Sequence, residues 1–204
     1  MKMKLYCSAT SPWARKVRVA VHELGLGDLV EEVPTDPYNA TPEFLTLNPL
    51  SKVPALVTEK GEALPDSTLI LEYLMTRGRG LAALPRGAQR WQLLRQLQLS
   101  DGIIGAAVTC RMESLRPAEF LYPPWMERQQ RAIVRALDAL EAEARTLVLD
   151  GPIRTAEISA GVALGYLDFR MPQLQWRSGR DRLASWYFTF AQRPSMLATQ
   201  PPAA

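Results

Sequence analysis

Histidine is almost absent from this 204-residue chain, and cysteine is nearly as scarce. The one histidine, His22, leaves no room for a His-rich metal site or a Ser–His–Asp triad. The two cysteines, Cys7 and Cys110, stand far apart and form no CxxC. That excludes a disulfide framework and fits a reducing compartment. No segment approaches the roughly 20 apolar residues that span a bilayer. The apolar stretch after Met1-Lys2-Met3-Lys4 is too short for a secretory leader. A large charge excess is missing too. The net charge is +3 and the Lys and Arg residues are scattered, which argues against nucleic acid and leaves at most a basic rim for small anions. The expectation is a cytoplasmic protein with no metal, membrane or nucleic-acid partner.

What is present is ordinary for a folded chain. Hydrophobic residues make up 47% and charged residues 22%, so disorder is not expected. The length suits one large domain or two small ones. The early part alternates between two periods. Lys4 to Ser8 reads as a strand. Pro12 opens a helix with Trp13, Val17, Ala20, Val21 and Leu24 on one face, Ser11 as its N-cap, and Gly25 and Gly27 at its end. Leu29 to Val33 reads as a second strand. The stretch from Pro34 to Asn48 reads as loop with one helical turn. Val53 to Val57 and Glu62 to Leu64 read as two more strands. Asp66-Ser67 starts a helix with Leu69, Ile70, Tyr73 and Leu74 inward. A strand–helix–strand unit followed by a close pair of strands predicts a small mixed sheet.

The character changes after Arg77. Gly78, Gly80, Pro85 and Gly87 mark a connection of low helix propensity. Beyond it the apolar spacing is helical: Leu93, Leu97, Ile104 and Val108; then Ile133, Leu137, Leu140 and Leu147; then Ile158, Val162, Tyr166 and Phe169; then Leu183, Trp186, Tyr187 and Phe190. The expected organisation is an α/β domain over 1–78, a linker over 79–86 and an all-helical domain over 87–204.

Three local motifs sharpen this. They are Leu5-Tyr6-Cys7-Ser8-Ala9-Thr10-Ser11-Pro12-Trp13-Ala14-Arg15-Lys16-Val17-Arg18, Asn48-Pro49-Leu50-Ser51-Lys52-Val53-Pro54-Ala55-Leu56, and Asp66-Ser67-Thr68-Leu69-Ile70-Leu71-Glu72-Tyr73-Leu74. Their order and spacing resemble the N-terminal domain of the glutathione S-transferase family. The later run Gly165-Tyr166-Leu167-Asp168-Phe169-Arg170 resembles bacterial cytosolic members, of the YibF-like kind. The resemblance covers nearly the whole chain. It implies a thioredoxin-like glutathione-binding domain with a four-stranded mixed sheet, an all-helical second domain, glutathione as co-substrate and a homodimer.

The resemblance also assigns roles. The Val53-Pro54 bond would be cis, turning the Val53 main chain outward to pair with the cysteinyl part of glutathione. Ser67 and the N–H groups of its helix would take the γ-glutamyl carboxylate, and Asp66 would face the ammonium. Lys52 either reaches the glycyl carboxylate or is a solvated surface lysine. Ser11 is the candidate catalytic hydroxyl, donating to the sulfur to favour the thiolate, with Thr10 and Ser8 as neighbours that could serve instead. Cys7 is either a small buried residue or the partner in a mixed disulfide. Trp13, Arg111 and Tyr122 are candidates for the pocket of a small hydrophobic electrophile, with Trp125 in the loop beside Tyr122 that could overhang the cleft; Trp91, Trp176 and Trp186 are further aromatic candidates for which core packing is the better reading. Asp101 could approach the glutathione of a neighbouring subunit. The implied function is conjugation of glutathione to that electrophile. The alternatives are a non-catalytic or regulatory protein on this fold, and a glutathione-dependent peroxidase or thiol reductase. One departure stands out. Where the family carries a Ser/Thr-x-x-Asp cap, this chain has Arg154-Thr155-Ala156-Glu157, and arginine cannot cap as a hydroxyl does.

Overall fold

Met3, Leu5 and Cys7 are buried and alternate with Lys4 and Tyr6, which makes a strand, β1 (Met3–Cys7). Ser11 then caps α1 (Pro12–Glu23), whose Oγ accepts from the Ala14 N–H at 3.2 Å, with Pro12 at the first helical position. Gly25 at φ +67° ends the helix. β2 (Val30–Pro34) follows, then the six-residue α2 (Pro42–Leu47), β3 (Ala55–Val57), β4 (Ala63–Pro65) and α3 (Ser67–Met75). The sheet order is β2-β1-β3-β4. β1 is parallel to β2, with Met3 opposite Val30. It is antiparallel to β3, with Tyr6 opposite Ala55, and β3 is antiparallel to β4, with Ala55 opposite Pro65. The small mixed sheet is therefore present. β3 begins at Ala55 rather than Val53, because proline at 54 has no N–H for a ladder. In α3 the buried residues are Ile70, Leu71 and Leu74, while Leu69, expected inward, is 48% exposed.

The structure is a computed structural model that describes residues 2–202. Among them the chain divides into two units. The first runs to Ala82 and takes in the chain again from Pro194; the second is Ala83–Arg193. In the first, the segment after α3 lies tight against the end of α1. A Cβ on Gly78 would stand 2.7 Å from the Leu24 carbonyl oxygen, and one on Gly80, at φ +135°, would stand 2.1 Å from that of Glu23. These two positions thus need glycine for close approach as well as for a loose connection. The returning tail carries α8 (Pro194–Ala198). The buried Arg15 guanidinium donates to the Met196 carbonyl at 3.1 Å and to Thr199 Oγ1 at 3.4 Å, and Ser195 Oγ donates to Glu23. The tail, which sequence patterning assigns to the helical domain, clusters with the α/β unit because α1 supplies these partners.

The second unit holds α4 (Ala88–Glu113), α5 (Pro123–Glu143), α6 (Thr155–Arg170) and α7 (Asp181–Phe190). α4 packs on both α5 and α6. α6 is buried on every side from Thr155 to Leu167, so it is the axis of this unit. Its start lacks a hydroxyl cap. Instead Glu157, 0% exposed, turns back: Oε2 accepts from the Arg154 N–H at 2.8 Å, Oε1 accepts from the Val148 N–H at 3.1 Å, and the Arg154 side chain pairs with the same carboxylate. Only the glutamate half of a reciprocal cap exists, since arginine offers no acceptor. α7 buries Leu183, Trp186, Tyr187 and Phe190, with the Trp186 and Phe190 rings stacked at 4.6 Å.

Candidate functional site

The strand registers decide what meets at one end of the sheet. Tyr6 lies opposite Ala55 and Ala55 opposite Pro65. The C-terminal end of β1, the N-terminal end of β3 and the C-terminal end of β4 therefore share one edge of the unit. The residues just beyond are the turn into α1, the Val53-Pro54 pair, and the Asp66-Ser67 start of α3. Two helix N-termini thus point toward the ends of the same three strands, and each brings unpaired N–H groups and partial positive charge.

Each group there has a defined state. The Val53-Pro54 peptide bond is cis. Val53 packs in a small apolar cluster with Phe44 and Ala55, against which Tyr6 and Ala40 lie. Among the described residues its N–H and C=O join no hydrogen bond. The loop leading to it is shaped by Asn48, which donates from Nδ2 to the Lys52 carbonyl at 2.7 Å and accepts from the Leu50 N–H at 3.1 Å. Ser51 there has φ +50°. Sequence reasoning assigns Asn48 no role; an asparagine directly before the Pro49-Leu50 turn is the signal that would have found it. Asp66 sits at φ +72°, a left-handed conformation uncommon for aspartate, and its Oδ1 accepts from the Thr68 N–H at 2.7 Å. Ser67 is 1% exposed, and its Oγ has no hydrogen-bond partner. A buried hydroxyl left unpaired costs about 1–3 kcal/mol, so this one marks a place where a partner belongs. The Lys52 side chain is exposed and joins no ion pair among the described residues.

Ser11 is half-buried. One lone pair accepts from the Ala14 N–H, which leaves its own proton to donate outward. Trp13 follows, half-buried, with the Lys16 ammonium 5.2 Å from its ring centroid. Cys7 is 4% exposed, and its Sγ donates to Glu32 Oε2, which Arg18 grips at 2.8 Å. Burial first, and then the neighbouring Glu32 charge, pushes this thiol up to about 11. It is a protonated, inert thiol at neutral pH.

The remaining candidates lie in the helical unit. Asp101, on α4, accepts from Ser159 Oγ of α6 at 3.0 Å. Arg111 stands in the last turn of α4. Tyr122 precedes α5, is 63% exposed, and donates its N–H to Glu113 Oε1 at 3.0 Å. Trp176 and Trp186 are core residues whose indole N–H groups reach Asp168 and the Val148 carbonyl, whereas Trp91, expected to pack in the core, is 69% exposed on α4, and Trp125 is 41% exposed.

Residues 10–77 match the family model described as glutathione S-transferase, N-terminal domain, and residues 123–187 match the corresponding C-terminal domain. The chain is 36% identical to the uncharacterized GST-like protein YibF of Escherichia coli (strain K12), over 99% of this chain and 100% of that one. Among solved structures it resembles a glutathione transferase family member from Pseudomonas fluorescens Pf-5 with bound glutathione. The identity is 41%, over 99% of this chain and 100% of that one, with a TM-score of 0.89. A structure from the same source with bound S-(propanoic acid)-glutathione is 40% identical, covers 100% of this chain and 99% of that one, and has a TM-score of 0.85.

Proposed function

Because the chain belongs to the glutathione S-transferase family, we propose that its first unit binds glutathione where α1, Val53 and α3 meet, and that the protein transfers the bound thiolate to a small hydrophobic electrophile. The observation that carries this reading is the Ser67 hydroxyl, shut away from water and unpartnered. A γ-glutamyl carboxylate would accept from it and from the N–H groups of α3. The unpaired Val53 N–H and C=O would take the cysteinyl main chain, and Lys52 the glycyl carboxylate. Asp66 would meet the ammonium with Oδ2, since Oδ1 already holds the Thr68 N–H.

In this reading Ser11 donates its free proton to the sulfur. A thiol of pKa about 8.5 is roughly 3% ionised at pH 7. Lowering that pKa by ~2 units takes about 2.7 kcal/mol and raises the thiolate fraction roughly 25-fold. Nucleophilicity falls about 8-fold on a slope of about 0.4–0.5, so activation alone gives only about 3-fold. Holding thiolate and electrophile together supplies the rest. The sulfur lone pair attacks the electrophilic carbon and the S–C bond forms. A leaving group departs with its electron pair, or the π pair of an activated alkene takes a proton. Trp13, just past the Ser11 turn, would stand on the second-substrate side of the first unit. That a relative holds an S-substituted glutathione supports a conjugate as a fitting occupant. We also propose a cytoplasmic homodimer with Asp101 near the neighbour's glutathione, and a role in detoxification.

Calorimetric titration with glutathione tests the site. Wild type should bind, and Ser67→Ala should bind roughly 10–100-fold more weakly, the value of one hydrogen bond to a charged group. No uptake of millimolar glutathione by folded protein overturns the proposal. Uptake with no turnover of chloronitrobenzene would instead favour a binding or regulatory protein on this fold. A thiol reductase working through Cys7 is disfavoured by its buried, protonated state.

A further inference from the structure

The helical unit has a cavity of its own, about 240 Å³, where the end of α4, the start of α5 and the end of α6 converge. Arg111 and Arg170 line it, with Gln130, Met126, Phe169 and Cys110, and no carboxylate stands among its lining residues. The Arg170 guanidinium lies over the Phe169 ring, its central carbon 3.8 Å from the centroid. Its Nε is closed off from solvent and makes no hydrogen bond. Neither arginine joins an ion pair among the described residues. Cys110 adds no opposing charge, because burial pushes its thiol up and its Sγ donates to the Met126 carbonyl. Arginines in the last turns of α4 and α6 would offset helix dipoles in any case. That accounts for two cations near helix ends, but not for a buried guanidinium nitrogen left without an acceptor. A planar anion accounts for it, since a carboxylate matches the guanidinium fork. The methionine, phenylalanine and cysteine then give an apolar body somewhere to lie.

We propose that this cavity binds an organic carboxylate with a short apolar body, its acid group held by Arg170 and Arg111.

Benzoate and its neutral isostere benzamide are the probes, titrated into the full-length protein by calorimetry with and without glutathione. Benzoate should bind at least roughly 10-fold more tightly than benzamide. Arg170→Met, which keeps the apolar stem, and Arg111→Met should each lose that preference while still binding glutathione. Equal binding of the two probes, or a preference for benzoate retained in both variants, overturns the proposal. Failure of the transferase reading is seen separately, as loss of glutathione uptake in the wild type.

Discussion

At the scale of single residues, two side chains near the end of β1 behave in opposite ways. Ser11 keeps a proton to give, and Cys7 keeps a proton it cannot lose. Ser11→Gly isolates the first. Glycine caps a helix only a few tenths of a kcal/mol less well than serine, so α1 should stay intact. The bound glutathione thiol should then titrate higher, by up to ~2 units, when its ultraviolet thiolate absorbance is followed against pH. Glutathione affinity should change little. For Cys7 the sign follows from its raised pKa. Below pH 9 the thiol is protonated in both folded and unfolded chains, so its contribution is complete. Between pH 9 and about 11 the unfolded chain ionises first, and stability is lost. The loss should total roughly 2–3 kcal/mol. Urea titrations across that window should show it in the wild type and not in Cys7→Ala. A thiol reagent at pH 7.5 should also leave Cys7 unmodified until the protein unfolds.

At the scale of elements, α6 is the sharpest case. Its N-terminus depends on one buried glutamate that serves the Val148 N–H, the Arg154 N–H and the Arg154 side chain together. Glu157→Ala should cost about 3 kcal/mol, the range for removing one partner of a buried pair. It should lower the urea midpoint with no change in slope. This is also where the legibility of the sequence can be judged. The four helices of the second unit are written in their spacing, and the buried set Leu183, Trp186, Tyr187 and Phe190 of α7 is the predicted one. The cap of α6 is not legible as a hydroxyl motif, because the carboxylate three residues on does the work. In α3 the run Leu69-Ile70-Leu71 is apolar throughout, so period alone cannot say which leucine faces in. Among the candidate site residues, Val53, Pro54, Asp66 and Ser67 converge because strand register places them together, and that register follows from a readable β-order. Arg170 was hidden. Its type suggests a helix end, and only its unmet buried nitrogen suggests a ligand.

At the scale of the whole molecule, the chain leaves its first unit at Ala82 and re-enters it at Pro194. No local pattern encodes that return. α8 is five residues long, and its hold on Arg15 spans 181 positions. Deleting residues 194–204 removes the buried Met196 and both of these Arg15 acceptors. The first unit should lose on the order of 3–5 kcal/mol. Hydrogen exchange should quicken throughout α1, while α6 keeps its protection. The same loop-back has a consequence during synthesis. Translation delivers a chain from its amino end, and units ordinarily fold in that order. Here the first unit emerges early yet waits for the segment from Pro194, more than a hundred residues on, to supply its closing piece. Its maturation therefore trails the synthesis of the whole helical unit, and a nascent chain stalled before Pro194 would present that half without its clasp.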